Sequence, residues 1–146
     1  MKPQYHLGIS LAVSLALYAW LRDIALAVSS FAAGFLIDID HYFDYVLTYG
    51  LRFNARHFYS SFYGAGEYTR IIIILHAWEW LAVLLAVPWW IGWNPVLTGA
   101  LIGLGHHFLL DQIFNPAFPL TYFFTYRLRH GFKIDRIIAG GERTRG

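Results

Sequence analysis

The sequence predicts an all-α, polytopic membrane protein: a four-transmembrane-helix bundle with interfacial helices or loops on its cytoplasmic side. Composition points there first, because 58% of the 146 residues are hydrophobic and only 14% charged, far from the balance of a soluble domain of this size. Charge distribution points there next. No Lys or Arg occurs from Ile71 to Tyr126, and between Trp80 and Leu110 the ionisable groups are His106 and His107 alone, which leaves room for two spans of about 20 residues.

Four apolar segments follow one another, at about 6–21, 24–41, 71–87 and 95–114, and the whole chain reads as one membrane domain. The first has the length of a signal-peptide core, but it runs into Arg22-Asp23 without a cleavage site and is read as a retained helix. Arg22-Asp23 makes the first turn. Pro88 to Asn94 makes the turn before the last span, with Pro88 ending one helix and Pro95 opening the next. Trp89, Trp90 and Trp93 at that turn suit an interfacial aromatic belt.

Two segments outside the spans, about 42–70 and 118–138, are rich in Tyr, Phe and Arg and read as interfacial, partly helical connections. The final GGERTRG reads as a frayed tail. If four helices alternate, all Lys and Arg except Arg22 fall on one side. The positive-inside rule then places both termini in the cytoplasm and the chain, as a multi-pass protein, in the cell (inner) membrane. Membrane lipids are the expected surroundings; nothing calls for nucleic acid, and assembly into a homo-oligomer stays open.

Ionisable residues at membrane depth are costly unless they face the bundle interior, so they mark function. Here they are His6, Asp38, Asp40, His41, Asp44, His76, Glu79, His106, His107 and Asp111. At about 1.5 Å of rise per residue, Asp38 lies roughly 21 Å from Asp23, His6 roughly 22 Å from Leu21, His76 roughly 17 Å from Val87 and His107 roughly 18 Å from Pro95. All four fall near one depth, under the cytoplasmic face of a core about 30 Å thick. Residues three or four apart share a helix face, which pairs Asp38 with His41, His76 with Glu79 and His107 with Asp111.

Such His/carboxylate pairs on facing helices build metal sites in bundle cores. With no cysteine in the chain, the ligands are imidazole and carboxylate: His6, Asp38, His41, His76, His107 and Asp111. That donor set suits a divalent metal, zinc first, with manganese or iron as alternatives, as one or two ions. His106 and His107 point about 100° apart, so one of them faces the metal, and Asp111 favours His107. Asp44 and His106 are alternative ligands or partners of the ligand histidines. Glu79 or Asp40 is the candidate general base, and Arg56, His57 and Arg127 are candidate phosphate contacts.

The Asp38-Ile39-Asp40-His41 block, the later His107-Phe-Leu-Leu-Asp111 and the early His6 together resemble the prokaryotic family described as membrane-bound metal-dependent hydrolases. The likeness spans about residues 6–116. Ile37 stands where that family has proline, and Arg56-His57 with Ser60-Ser61 matches its middle His region only loosely. The resemblance implies a metal site at Asp38, Asp40, His41, His107 and Asp111, and a hydrolase acting on a lipid or phospholipid ester at the cytoplasmic leaflet.

Two other readings keep part of this. A di-iron membrane oxidase or hydroxylase needs more histidine boxes than the single His106-His107 pair, and a metal or proton transporter needs a polar path that continues outward. A lipid-phosphatase signature of the Ser-Arg-x5-His-x3-Asp kind is excluded, because no Ser-Arg precedes His107.

Overall fold

The computed structural model describes residues 1–63, 68–115 and 117–137. Residues 64–67 of the aromatic connection and the GGERTRG tail lie outside these described residues. Among the described residues the chain is helical and forms no strand; an isolated antiparallel bridge pairs Arg70 with Lys133. The elements are α1 (Pro3–Leu21), α2 (Ile24–Phe35), a 3-10 turn (Leu36–Asp38), α3 (Ile39–Tyr49), α4 (Ala55–Tyr63), α5 (Trp78–Ala86), α6 (Pro88–Ile91), α7 (Pro95–Phe114), α8 (Phe124–Arg129) and α9 (Ile134–Ile137). The stretch Ile24–Tyr49, 26 residues of mean hydropathy 1.4, is long and apolar enough to cross a membrane, and Trp78–Ile91 is a shorter apolar stretch.

The chain divides into two compact units, the first comprising Met1–Ile37 and Ala77–Asn115 and the second Asp38–His76 and Pro116–Gly146. In the first unit α2 packs against both α1 and α7. The chain turns between α1 and α2 at Arg22, whose φ of 55° is left-handed, and Asp23 then caps α2 by accepting from Leu26 N. Asn94 caps α7 in the same way and Pro95 fills its first position.

The contact between α2 and α7 depends on missing side chains. A Cβ at Gly99 would collide with the backbone of Leu26 and with Ser29, and one at Gly103 would collide with the Ser30 carbonyl and Gly34 N. Gly99 and Gly103 are four apart, so they lie on one face of α7 and let the two backbones meet, the device that small residues provide between membrane helices. Gly34 leaves room in turn for His106 Cε1 at 2.6 Å and Ser10 Oγ at 2.8 Å from where its Cβ would be.

The inner face of α1 is polar and its outer face apolar. His6, Ser10 and Ser14, one turn apart, are buried, whereas Leu7, Leu11 and Leu15 are exposed. A helix in water has the opposite arrangement.

In the second unit Tyr45, Tyr68, Ile73, Tyr122 and Ile137 form the core with Asp40, Asp44 and Arg127 buried among them. Tyr45 lies edge-on to Phe53, Phe58 and His57 and donates its hydroxyl hydrogen bond partnership to His57 Nδ1 at 2.9 Å.

Three boundaries differ from the sequence reading. The second segment does not stop at 41 but continues through the 3-10 turn to Tyr49. Helix α5 does end ahead of Pro88, at Ala86, but the turn that follows is itself partly helical, because Pro88 opens the short α6, as proline can at a first position. The third segment, expected to be helical over 71–87, is helical only from Trp78, and residues 71–77 form an ordered loop. The run Ile71–Ile74 is β-branched, which weakens its helix preference, and charged side chains take over the backbone bonds that a helix would have made. Asp44 Oδ2 accepts from Ile72 N at 2.7 Å and Ile73 N at 3.2 Å, and Asp40 Oδ2 accepts from Leu75 N at 2.9 Å and His76 N at 3.3 Å.

Gly103→Val forces the α2–α7 backbones apart and lowers stability by about 1–3 kcal/mol, the range for overpacking. Gly105→Ala meets open space and leaves stability unchanged or slightly raised. Thermal unfolding of both variants in detergent checks the contrast.

Candidate metal centres

Each unit gathers buried histidine and aspartate atoms within 4.8 Å of one another, close enough to hold a metal ion. In the first unit the set is His6, His107 and Asp111, at most 3% exposed. The i, i+4 spacing puts His107 and Asp111 on one face of α7, with His107 Nε2 at 3.6 Å from Asp111 Oδ2. Antiparallel α1 brings His6 alongside; its ring stacks on that of His107 with centroids 4.0 Å apart, and its Nε2 donates to Asp111 Oδ1 at 3.0 Å.

His107 Nδ1 donates to the Gly34 carbonyl at 2.8 Å, which fixes the tautomer and leaves Nε2 with its lone pair. The Met1 amine also donates to Asp111 Oδ1, at 2.7 Å, and to Asn115 Oδ1. The Met1 amine and the His6 ring therefore converge on the Asp111 carboxylate, which with His6 and His107 would hold a cation. His6 Nδ1, buried and without a hydrogen-bond partner among the described residues, is consistent with the proton residing on Nε2 when no metal is bound.

In the second unit the set is Asp40, His41 and His76, with Asp38 beside it. Asp40 Oδ1 accepts from His41 Nδ1 at 3.0 Å and from His76 Nδ1 at 2.9 Å. Both rings are thus held by one carboxylate through Nδ1, the kind of carboxylate–histidine contact that orients metal-ligating imidazoles. His76 Nε2 lies 3.2 Å from Asp38 Oδ1. With Nδ1–H committed to Asp40, neutral His76 would set two acceptors against each other there, so either a second ring proton or a cation must lie between them. The donor set fits a divalent ion in both units: imidazole nitrogens, carboxylate oxygens, burial and fixed tautomers.

The remaining candidates fall elsewhere. Asp40 does not suit a general base, because both of its oxygens already accept from ring and backbone N–H groups. Asp44 serves the backbone of Ile72 and Ile73 rather than a histidine. Glu79 sits in the first turn of α5, where a carboxylate complements the exposed N–H groups of the helix, and belongs to neither set.

His106 turns away to Ser10: its Nδ1 donates to the Ile102 carbonyl at 2.8 Å and its Nε2 accepts from Ser10 Oγ at 3.0 Å. Arg56 is exposed on α4, and His57 is bound to Tyr45. Arg127 is not a phosphate contact. It is fully buried, and its Nη atoms donate to the carbonyls of His76, Thr121 and Ile73. Ser10 and Arg127 were not singled out as partners of the histidines, although Ser10 lies four residues after His6 on the same helix face.

Tyr68, outside the apolar segments, is buried near Tyr49, and that burial pushes its phenol above the usual value, so it stays protonated as a donor. No family model matches the chain, and neither does any curated protein or solved structure.

Asp40→Asn keeps the shape but removes the charge that orients His41 and His76, and metal affinity is expected to fall about 10–100-fold. Isothermal titration with Zn²⁺ checks this; unchanged affinity would show that Asp40 does not orient the ligands. Because ring protons must leave, binding is expected to release protons and to strengthen as pH rises.

Proposed function

We propose that the chain is a polytopic inner-membrane protein, with both termini cytoplasmic and four spans, that works as a metal-dependent hydrolase on a lipid or phospholipid ester of the cytoplasmic leaflet. The observation that carries the reading is the pair His41 and His76, whose Nδ1 atoms share the buried Asp40 carboxylate within one cluster of potential metal donors. The resemblance to the membrane-bound metal-dependent hydrolases points the same way.

Support for the membrane comes from the inverted α1 and from the surface. Trp89, Trp90 and Trp93 are 87%, 81% and 60% exposed, and Leu47, Ile113 and Phe114 are also exposed, a surface suited to lipid. The helices α1 and α7, of 19 and 20 residues, have the length of a span.

A divalent ion, zinc first, supplies Lewis acidity and a water acidic enough to ionise near neutral pH. His41 and His76 would hold it, with Asp38, whose Oδ1 lies 3.2 Å from His76 Nε2, as a neighbouring carboxylate. Asp38 keeps some exposure and takes the proton-accepting role that the saturated Asp40 cannot. Arg56, exposed on α4, is the candidate phosphate contact that stays accessible to a substrate.

Metal content of the purified protein in nanodiscs is the test, followed by hydrolysis of a fluorogenic phospholipid ester. Bound zinc, loss of it in His41→Ala and His76→Ala, and turnover abolished by a chelator and restored by Zn²⁺ are expected. A wild type that takes up no metal overturns the reading; metal without turnover of any lipid ester or phosphate overturns the hydrolase part.

A further inference from the structure

An arginine with no exposed surface is rare, because its guanidinium stays charged and leaving water is costly unless its donors are met. Arg127 is 0% exposed. It enters from α8 and spends its donors on main-chain carbonyls: Nη1 on His76 O and Thr121 O, both at 2.8 Å, and Nη2 on Ile73 O at 2.9 Å. Its Cζ also lies 5.9 Å from the centre of the Phe124 ring.

Ile73 and His76 are the two ends of one tight turn, closed by His76 N donating to Ile73 O at 3.2 Å. Ile73 holds a positive φ of 31°, a conformation that a β-branched residue keeps only where its surroundings impose it. The loop before it is pinned as well, by Ile71 N to Phe132 O at 3.0 Å and Ile134 N to Thr69 O at 3.1 Å. The turn is thus bracketed, with Asp40 and Asp44 on its N–H groups and Arg127 on its C=O groups.

We infer that Arg127 is a positioning residue for the metal ligand His76. By tying the carbonyls at both ends of the 73–76 turn to one rigid fork, it fixes the backbone of His76. Asp40 then fixes the ring, and Nε2 has one direction to point. Lysine cannot replace it, because an ammonium on a flexible stem does not reach both carbonyls with a planar fork. The inference rests on the metal reading of the preceding section and extends it to a residue that never touches the ion.

The test uses the full chain in detergent, loaded with Co²⁺, whose visible absorption reports coordination number and geometry. Arg127→Lys and Arg127→Gln are compared with wild type, with His76→Ala as the ligand-loss reference. Arg127→Lys is expected to keep its helical circular dichroism while its Co²⁺ spectrum moves toward that of His76→Ala and its affinity falls about 10–100-fold.

A folded Arg127→Lys with wild-type spectrum and affinity overturns the inference and leaves the metal reading standing. A wild type that binds no Co²⁺ overturns the metal reading itself. Should both Arg127 variants fail to fold, wild type still decides: the Arg127 Nη signals in ¹⁵N spectra are expected to shift on Zn²⁺ loading, and signals indifferent to Zn²⁺ overturn the inference.

Discussion

The carboxylate of Asp40 is the interaction on which the second unit depends. It accepts from the Nδ1 atoms of His41 and His76 and from the backbone N–H groups of Leu75 and His76. Those bonds do two things together. They replace the helical hydrogen bonds that residues 71–77 do not make, and they hold both imidazoles through Nδ1. A buried carboxylate without such donors would be costly, and a buried non-helical backbone without such an acceptor would be equally so. Each solves the other's problem. Arg127 completes the arrangement by satisfying carbonyls of the same loop.

In the first unit the corresponding constraint is close approach. Gly99 and Gly103 let α7 meet the backbone of α2, and this contact carries His107 to the Gly34 carbonyl that sets its tautomer. Dispersion and small-residue packing hold such helices together where apolar burial offers little. The polar side chains lie inside: His6, Ser10 and Ser14 on α1, Ser30 on α2, and His107 and Asp111 on α7. A helix with Leu outside and Ser inside inverts the arrangement that a helix packed in water adopts.

The sequence made α7 legible to the residue, because Pro95 can begin a helix and not continue one. The turn at Arg22-Asp23 was legible from charge, and His107 with Asp111 from the i, i+4 rule. The loop 71–77 was not. Four consecutive isoleucines read as a span, and what unwinds them is supplied by Asp40, Asp44 and Arg127, residues roughly 30 to 55 positions away, which periodicity cannot reach. Arg127 reads from the sequence as a phosphate contact for the same reason: its partners are backbone carbonyls, and those leave no mark in a sequence. The Gly99-x3-Gly103 spacing was visible and identifies the α2–α7 contact; the sequence reading passed over it in favour of hydropathy.

The central claim is that the carboxylate-held histidines of this chain bind a metal. Anomalous scattering at the zinc edge, from crystals of the zinc-loaded protein, tests it most directly. The account predicts anomalous density bonded to His41 and His76 Nε2, with further density at His6, His107 and Asp111 if the first unit also fills. Loaded crystals with no anomalous peak at either set, or with zinc bound only at surface residues, would contradict it.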